Sequence, residues 1–274
     1  MATAALPQDP DLDQLRNQAR ELQRAVRRGE PAALTRVSRW HPGPPPADGF
    51  PLTAAQLVLA RQHGFTSWAR MRRYVQIVTA RAWTPGQPPP DEEPVADRFL
   101  RLACLTYGDD QAADREAAAR LLAEHPGLPR DNLFAAAACA DVAQVRRHLA
   151  GRPAGASLTG GPHGWSPLLY QAYARHNPRV GLPATLETAR LLLDAGADPD
   201  DGRFWHALPT PFTVLTGVLG YGEHRQPWHP HANRFARLLL ERGADPNDGQ
   251  TLYNRMFGSN DDHLVLLFEF GLGR

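Results

Sequence analysis

Tryptophan and histidine crowd into one stretch of this chain: Arg203-Phe204-Trp205-His206, then Gln226-Pro227-Trp228-His229-Pro230-His231, with His224 between them. Side chains of these types could do three kinds of chemistry. His224, His229 and His231 could ligate zinc, but zinc takes three or four well-spaced ligands, and a His-Pro-His with one distant histidine and no nearby cysteine falls short. Neither a metal nor a cofactor is expected. Trp205, His206, Trp228 and His229 could instead form a contact surface, because a few aromatic and arginine side chains carry most contact energy. The opposing expectation is that both indoles fold back to hold the long loops in place. A third reading makes residues 203–231 the pocket of a small-molecule-binding or catalytic protein.

Elsewhere the reactive constellations of common enzymes are missing. The chain has no Gly-x-Ser-x-Gly, and Gly164-Trp165-Ser166-Pro167 reads as a helix start rather than a strand-to-helix turn. Asp109-Asp110, Asp200-Asp201 and Asp261-Asp262 fall in turns, where aspartate caps helices; adjacent solvated carboxylates do not acquire the separated pKa values that acid–base work needs. No phosphate-binding glycine loop is present. The expectation is a protein without catalytic activity. Cys104 and Cys139, each in an Ala-rich helical segment, are expected as small packed thiols.

The elements that position these residues read as helices. Residues 1–81 form a helical leader: Leu15, Ala19, Leu22 and Val26 share one face, Asp9, Asp11 and Asp13 suit its helix start, and Arg24, Arg27 and Arg28 its end. Further helices are expected from Pro31, from a Thr53 cap to His63 with Gly64 closing it, and after Ser67 or Thr66. Residues 82–94 are a Pro-rich linker. Residues 95–274 hold five helix pairs, whose second helices carry Ala118, Leu121, Leu122; Val142, Val145, Leu149; Ala189, Leu192, Leu193; Phe235, Leu238, Leu239; and Leu264, Leu267, Phe268 on one face.

Leu191-Leu192-Leu193-Asp194-Ala195-Gly196-Ala197-Asp198-Pro199 returns almost unchanged from Leu238 to Pro246, the mark of stacked units. With Gly164-Trp165-Ser166-Pro167-Leu168 and Thr210-Pro211-Phe212 as helix openings, residues 95–274 resemble the ankyrin repeat, a turn plus two antiparallel helices. The stretch Gln56 to Trp68 resembles the helical leader found ahead of some bacterial ankyrin arrays. The resemblance implies an all-α solenoid of about five helix pairs in which Ser166 or Thr210 caps a first helix and Pro167 or Pro211 follows. First helices form the inner wall of such stacks, which directs attention to Tyr170, Tyr173, Tyr253 and Asn254, as contact residues or as packing.

Charge and composition bound the partner. All 30 basic residues are arginine, as expected of a GC-rich bacterial genome. Residues 1–81 hold 12 Arg against 6 acids, yet the acids are interspersed, which argues against nucleic acid. No secretory signal and no apolar run of membrane-spanning length is read, so cytoplasmic residence is expected. The chain stops at Arg274, directly after an apolar helix. Terminal repeats carry a polar outer face, so continuation of the natural protein, or a covering partner or copy, is expected there. The functional expectation is a scaffold that binds an unidentified protein.

Overall fold

Asp11 accepts hydrogen bonds from the amides of Asp13 and Gln14, and the chain winds into its first helix, α1 (Leu12–Arg27). The computed structural model describes residue 6 and residues 10–83, 90–108, 110–205 and 210–273. It divides the chain into two compact units, Met1–Ala82 and Trp83–Arg274. Among the described residues the protein is all-α with little strand.

In the first unit α1 buries Leu15, Ala19, Leu22 and Val26, the face that their spacing predicts. It is followed by α2 (Pro31–Trp40), α3 (Leu52–Gln62) and α4 (Trp68–Arg81). Pro31 opens α2, where a missing amide costs nothing. Pro51, not Thr53, stands before α3; Thr53 lies inside its first turn, so its hydroxyl does not cap the helix. Ser67 Oγ accepts from the Arg70 amide at the start of α4. Phe50, Val58, Leu59, Met71 and Val75 complete this core.

The second unit contains five helical hairpins. They pair α5 (Val95–Ala103) with α6 (Ala112–Glu124), then α8 (Leu133–Ala138), entered through the single turn α7 (Leu128–Asp131), with α9 (Val142–Gly151). Next come α10 (Pro167–Tyr173) with α11 (Leu182–Asp194), α12 (Val214–Leu219) with α13 (Ala232–Glu241), and α14 (Gly249–Arg255) with α15 (Asp262–Glu269). First helices pack in file, α5 on α8, α8 on α10, α10 on α12 and α12 on α14; second helices do the same from α9 to α15. The inner file is enclosed: every residue of α10 and α12 is buried, which requires helices apolar all round. Gly217 lets α10 and α12 close up, since a Cβ there would collide with the Tyr173 ring.

Four of the first helices start alike. Asn132, Ser166, Thr213 and Asp248 each accept a backbone amide of the first turn through a side-chain oxygen. Ser166 and Pro167 stand where the resemblance puts them; Thr210 and Pro211 do not. Phe212–Thr213 pairs as a strand with Gly202–Trp205, in the register Gly202 with Thr213 and Arg203 with Phe212. That ladder delays the helix to Val214 and passes the capping role to Thr213.

Three of the second helices, α11, α13 and α15, also end alike. Gly196, Gly243 and Gly271 have φ of +91°, +96° and +99°, and the amides of Ala197, Ala244 and Leu272 reach back to Leu192, Leu239 and Leu267. The same reversal ends α8, but the residue there is Ala140, at φ +51°. A Cβ in this region is strained. Ala140→Gly is therefore expected to stabilise the second unit by about 0.5–1 kcal/mol, a rise of about 1–4 °C in the melting midpoint. An unchanged or lower midpoint would remove strain from the account of that turn.

The outermost helix departs from expectation. His263, Leu266 and Leu267 are buried in α15, whereas Phe268 is 58% and Val265 64% exposed. Phe268 is thus off the packed face, because α15 leans on α13 and no described residue covers its far side.

Candidate binding cleft

Arg203 anchors the strand that builds the site. Its guanidinium donates to the Thr106 carbonyl at 2.6 Å and lies over the rings of Trp165, Tyr173 and Phe212 at 4.9, 5.3 and 4.9 Å. Burial lowers its pKa, but an arginine stays charged, and the aromatic faces supply the negative potential that water would otherwise give. Arg203 and Phe204 are buried, and Trp205 comes out half-buried with its ring edge-on to Phe212 at 5.7 Å.

Beside Trp205 opens a cavity of about 600 Å³. Trp205, Tyr107, Phe212 and Tyr253 are its aromatic residues, and Glu223, His224, Gln250 and Asn254 add polar groups. Tyr107 is held by a local clasp. The Asp110 carboxylate accepts from the Thr106 amide, the Thr106 hydroxyl and the Tyr107 amide at 2.8, 2.9 and 2.7 Å, which fixes Tyr107 at φ +61°. The Tyr107 hydroxyl then donates to Thr216 near the end of α12. Glu223 and His224 sit on a turn hung from α14, because the Asn254 carbonyl accepts the amides of Tyr221 and Gly222. The Tyr253 hydroxyl donates to the Glu223 carboxylate, which raises the tyrosine pKa.

Behind the cleft, α12 and α14 are pinned together by Asp248. One carboxylate oxygen accepts from the hydroxyls of Thr213, Thr216 and Thr251, and the other from the amides of Gln250 and Thr251. Burial pushes its pKa up, while these donors hold the rise back.

The structure separates the residues expected to act together. Trp205 and Tyr253 border the cleft, and Tyr253 is 45% exposed. Asn254 is buried at its floor, its amide donating to the Gln250 carbonyl. Tyr170 and Tyr173 belong to the core instead of an inner wall open to a partner; their hydroxyls donate to the carbonyls of Gly160 and Thr213, both at 2.8 Å. Trp228 is a packing residue, stacked on Tyr221 at 4.4 Å and covered by the Arg255 guanidinium at 3.7 Å. His229 is buried against Phe235, away from the cleft, with its pKa held well below the usual imidazole value by burial. His206 lies outside the described residues. Among the described residues no group of three or more His, Cys, Asp or Glu is placed to hold a metal ion, and His231 bonds the Val180 carbonyl.

Sequence reading missed Tyr107, Glu223 and Gln250, whose only local signal is the pair of glycine-bearing turns around Tyr107 and Tyr221. It also missed a thiol–imidazole pair, Cys139 Sγ and His176 Nε2, 3.8 Å apart. Burial pushes that thiol up to about 12 and the imidazole down to about 4, so both are neutral and no thiolate is prepared for attack.

No protein-family model, curated protein or solved structure matches this chain. Among the described residues no helix is long and apolar enough to cross a membrane.

Proposed function

We propose that residues 95–274 form an ankyrin-like solenoid and that the protein is a non-catalytic scaffold that binds another protein. One observation carries the reading: hairpins that pack file on file, four of them opened by a side-chain cap and three closed by a left-handed glycine, with residues from both connections flanking α12 lining one cleft. In stacked-hairpin proteins the contacts between units maintain the fold, and the loops are left to vary for recognition. The ion pairs Arg146–Glu187, Arg242–Asp194 and Arg237–Glu269 link successive second helices without touching the cleft. They are exposed, so each contributes no more than about 1 kcal/mol.

The immobilised full chain, exposed to extract of its source cell, is expected to retain a protein whose purified form binds it directly. Trp205→Ala should weaken that binding by about tenfold or more with the melting midpoint little changed. Equal affinity of the purified partner for both forms would remove the cleft from the contact. A second reading has one observation in its favour: the cavity has the size of small-molecule sites. A free metabolite that co-purifies with the wild type and is absent from Trp205→Ala would replace the scaffold reading with that one.

A further inference from the structure

We propose that the cleft receives a basic side chain, arginine or lysine, carried on the partner polypeptide. This rests on the protein-binding reading above. Three features of the cavity point the same way. Its walls are aromatic, with Trp205, Tyr107 and Tyr253 in the lining, and ring faces attract organic cations. Among the described lining residues the carboxylate is Glu223, exposed and held toward Tyr253 by that residue's hydroxyl, so the anion has a defined place beside an aromatic ring. Its remaining polar groups include the Asn254 and Gln250 amides and the Thr210 hydroxyl, whose oxygens can accept from a guanidinium or ammonium. Among the described residues that line it there is no arginine, in a chain with 30 of them.

The protein already contains the same recognition chemistry turned inward. Arg203 lies over Trp165, Tyr173 and Phe212, with a carbonyl accepting its proton. An incoming cation is assigned to the Tyr253 and Glu223 side of the cavity, where a carboxylate is the neighbour. His224 also lines the cavity. A flexible stem on the guest side chain packs its methylenes against the rings while its charged end meets Glu223.

The test uses the full chain and blocked amino acids as probes: N-acetyl-arginine amide, N-acetyl-lysine amide, and N-acetyl-citrulline amide as the uncharged near-isostere of the first. Saturable calorimetric binding of the arginine or lysine probe is expected, with the citrulline probe weaker by about tenfold. Glu223→Gln should weaken the cationic probe by a similar factor. That exposed substitution leaves the fold in place, which circular dichroism verifies. Equal binding of citrulline and arginine probes, or an unchanged affinity in Glu223→Gln, overturns the proposal; so does preference for a blocked phenylalanine or an acidic probe. The two readings fail differently. If the purified partner binds Glu223→Gln as tightly as wild type, the cation reading falls and the scaffold stands. If the cationic probes bind but no protein partner is retained, the scaffold reading falls, and with it the claim that the cation is carried on a polypeptide.

Discussion

Acid is expected to unfold the second unit well above the pH at which carboxylates alone would do it. His176 is buried and His163 half-buried, and desolvation lowers their pKa values from 6.5 to about 4 and about 3; His229 is shifted the same way. These groups are neutral in the folded chain. The unfolded chain takes up protons near pH 6.5 and the folded chain does not, so stability is full above 6.5 and drains away as pH falls through the folded values. At about 1.4 kcal/mol per unit, His176 alone accounts for a loss of about 3 kcal/mol between pH 6.5 and 4, a large share of a typical domain stability of about 5–15 kcal/mol. Asp248 acts in the opposite sense. Its raised pKa makes it stabilise the fold more as pH falls toward 3.8, so it offsets part of the histidine effect. Urea midpoints measured from pH 7.5 to 4.5 should fall steeply, and His176→Gln should flatten the slope whatever it does to the midpoint at pH 7.5. A flat profile in the wild type, or an identical slope in the variant, would mean that these imidazoles do not control acid stability.

Arg175→Met is expected to cost about 3–5 kcal/mol, or about 10 °C in the melting midpoint of a unit this size. The guanidinium is buried and donates to four carbonyls: Pro227, Ala172 and Ala174 at 2.9 Å, and Gly217 at 2.6 Å. Ala172 and Ala174 stand at the end of α10 and Gly217 lies in α12, so one cation satisfies helix carbonyls of two neighbouring hairpins and meets the negative ends of their dipoles. Methionine fills the volume but leaves the acceptors unmet. Lysine restores the charge without the planar fork, so Arg175→Lys should fall between the two. Arg242→Ala, which removes an exposed ion pair to Asp194, should shift stability by no more than about 1 kcal/mol. If Arg175→Met melts like Arg242→Ala, the buried guanidinium is not what fastens these helices.

The two arginines show where sequence reading stops. Nothing local distinguishes Arg175 or Arg203 from Arg237, yet the first two are buried and the third is on the surface. Trp205 and Trp228 look equivalent on paper; one borders the cleft, while the other is clamped between Tyr221 and Arg255. Tyr170, Tyr173 and Asn254 were marked as contact or packing residues with no local means of choosing, and all three are buried.

Local features are legible in the residues alone: the apolar face of α1, the proline starts of α2 and α10, the Ser166 cap, and the glycine endings at Gly196 and Gly243. Each depends on residues within a turn or so of one another, where side-chain type and spacing decide the outcome. Only the tertiary structure decided that Thr213 displaces Thr210 as a cap, that Arg203 reaches Thr106, and that Tyr107, Trp205, Glu223 and Tyr253 meet around one cavity. Those outcomes depend on a strand pairing and on hydrogen bonds across as many as 109 residues of chain. Their energies come from burial and closure between hairpins, which no short window of sequence contains.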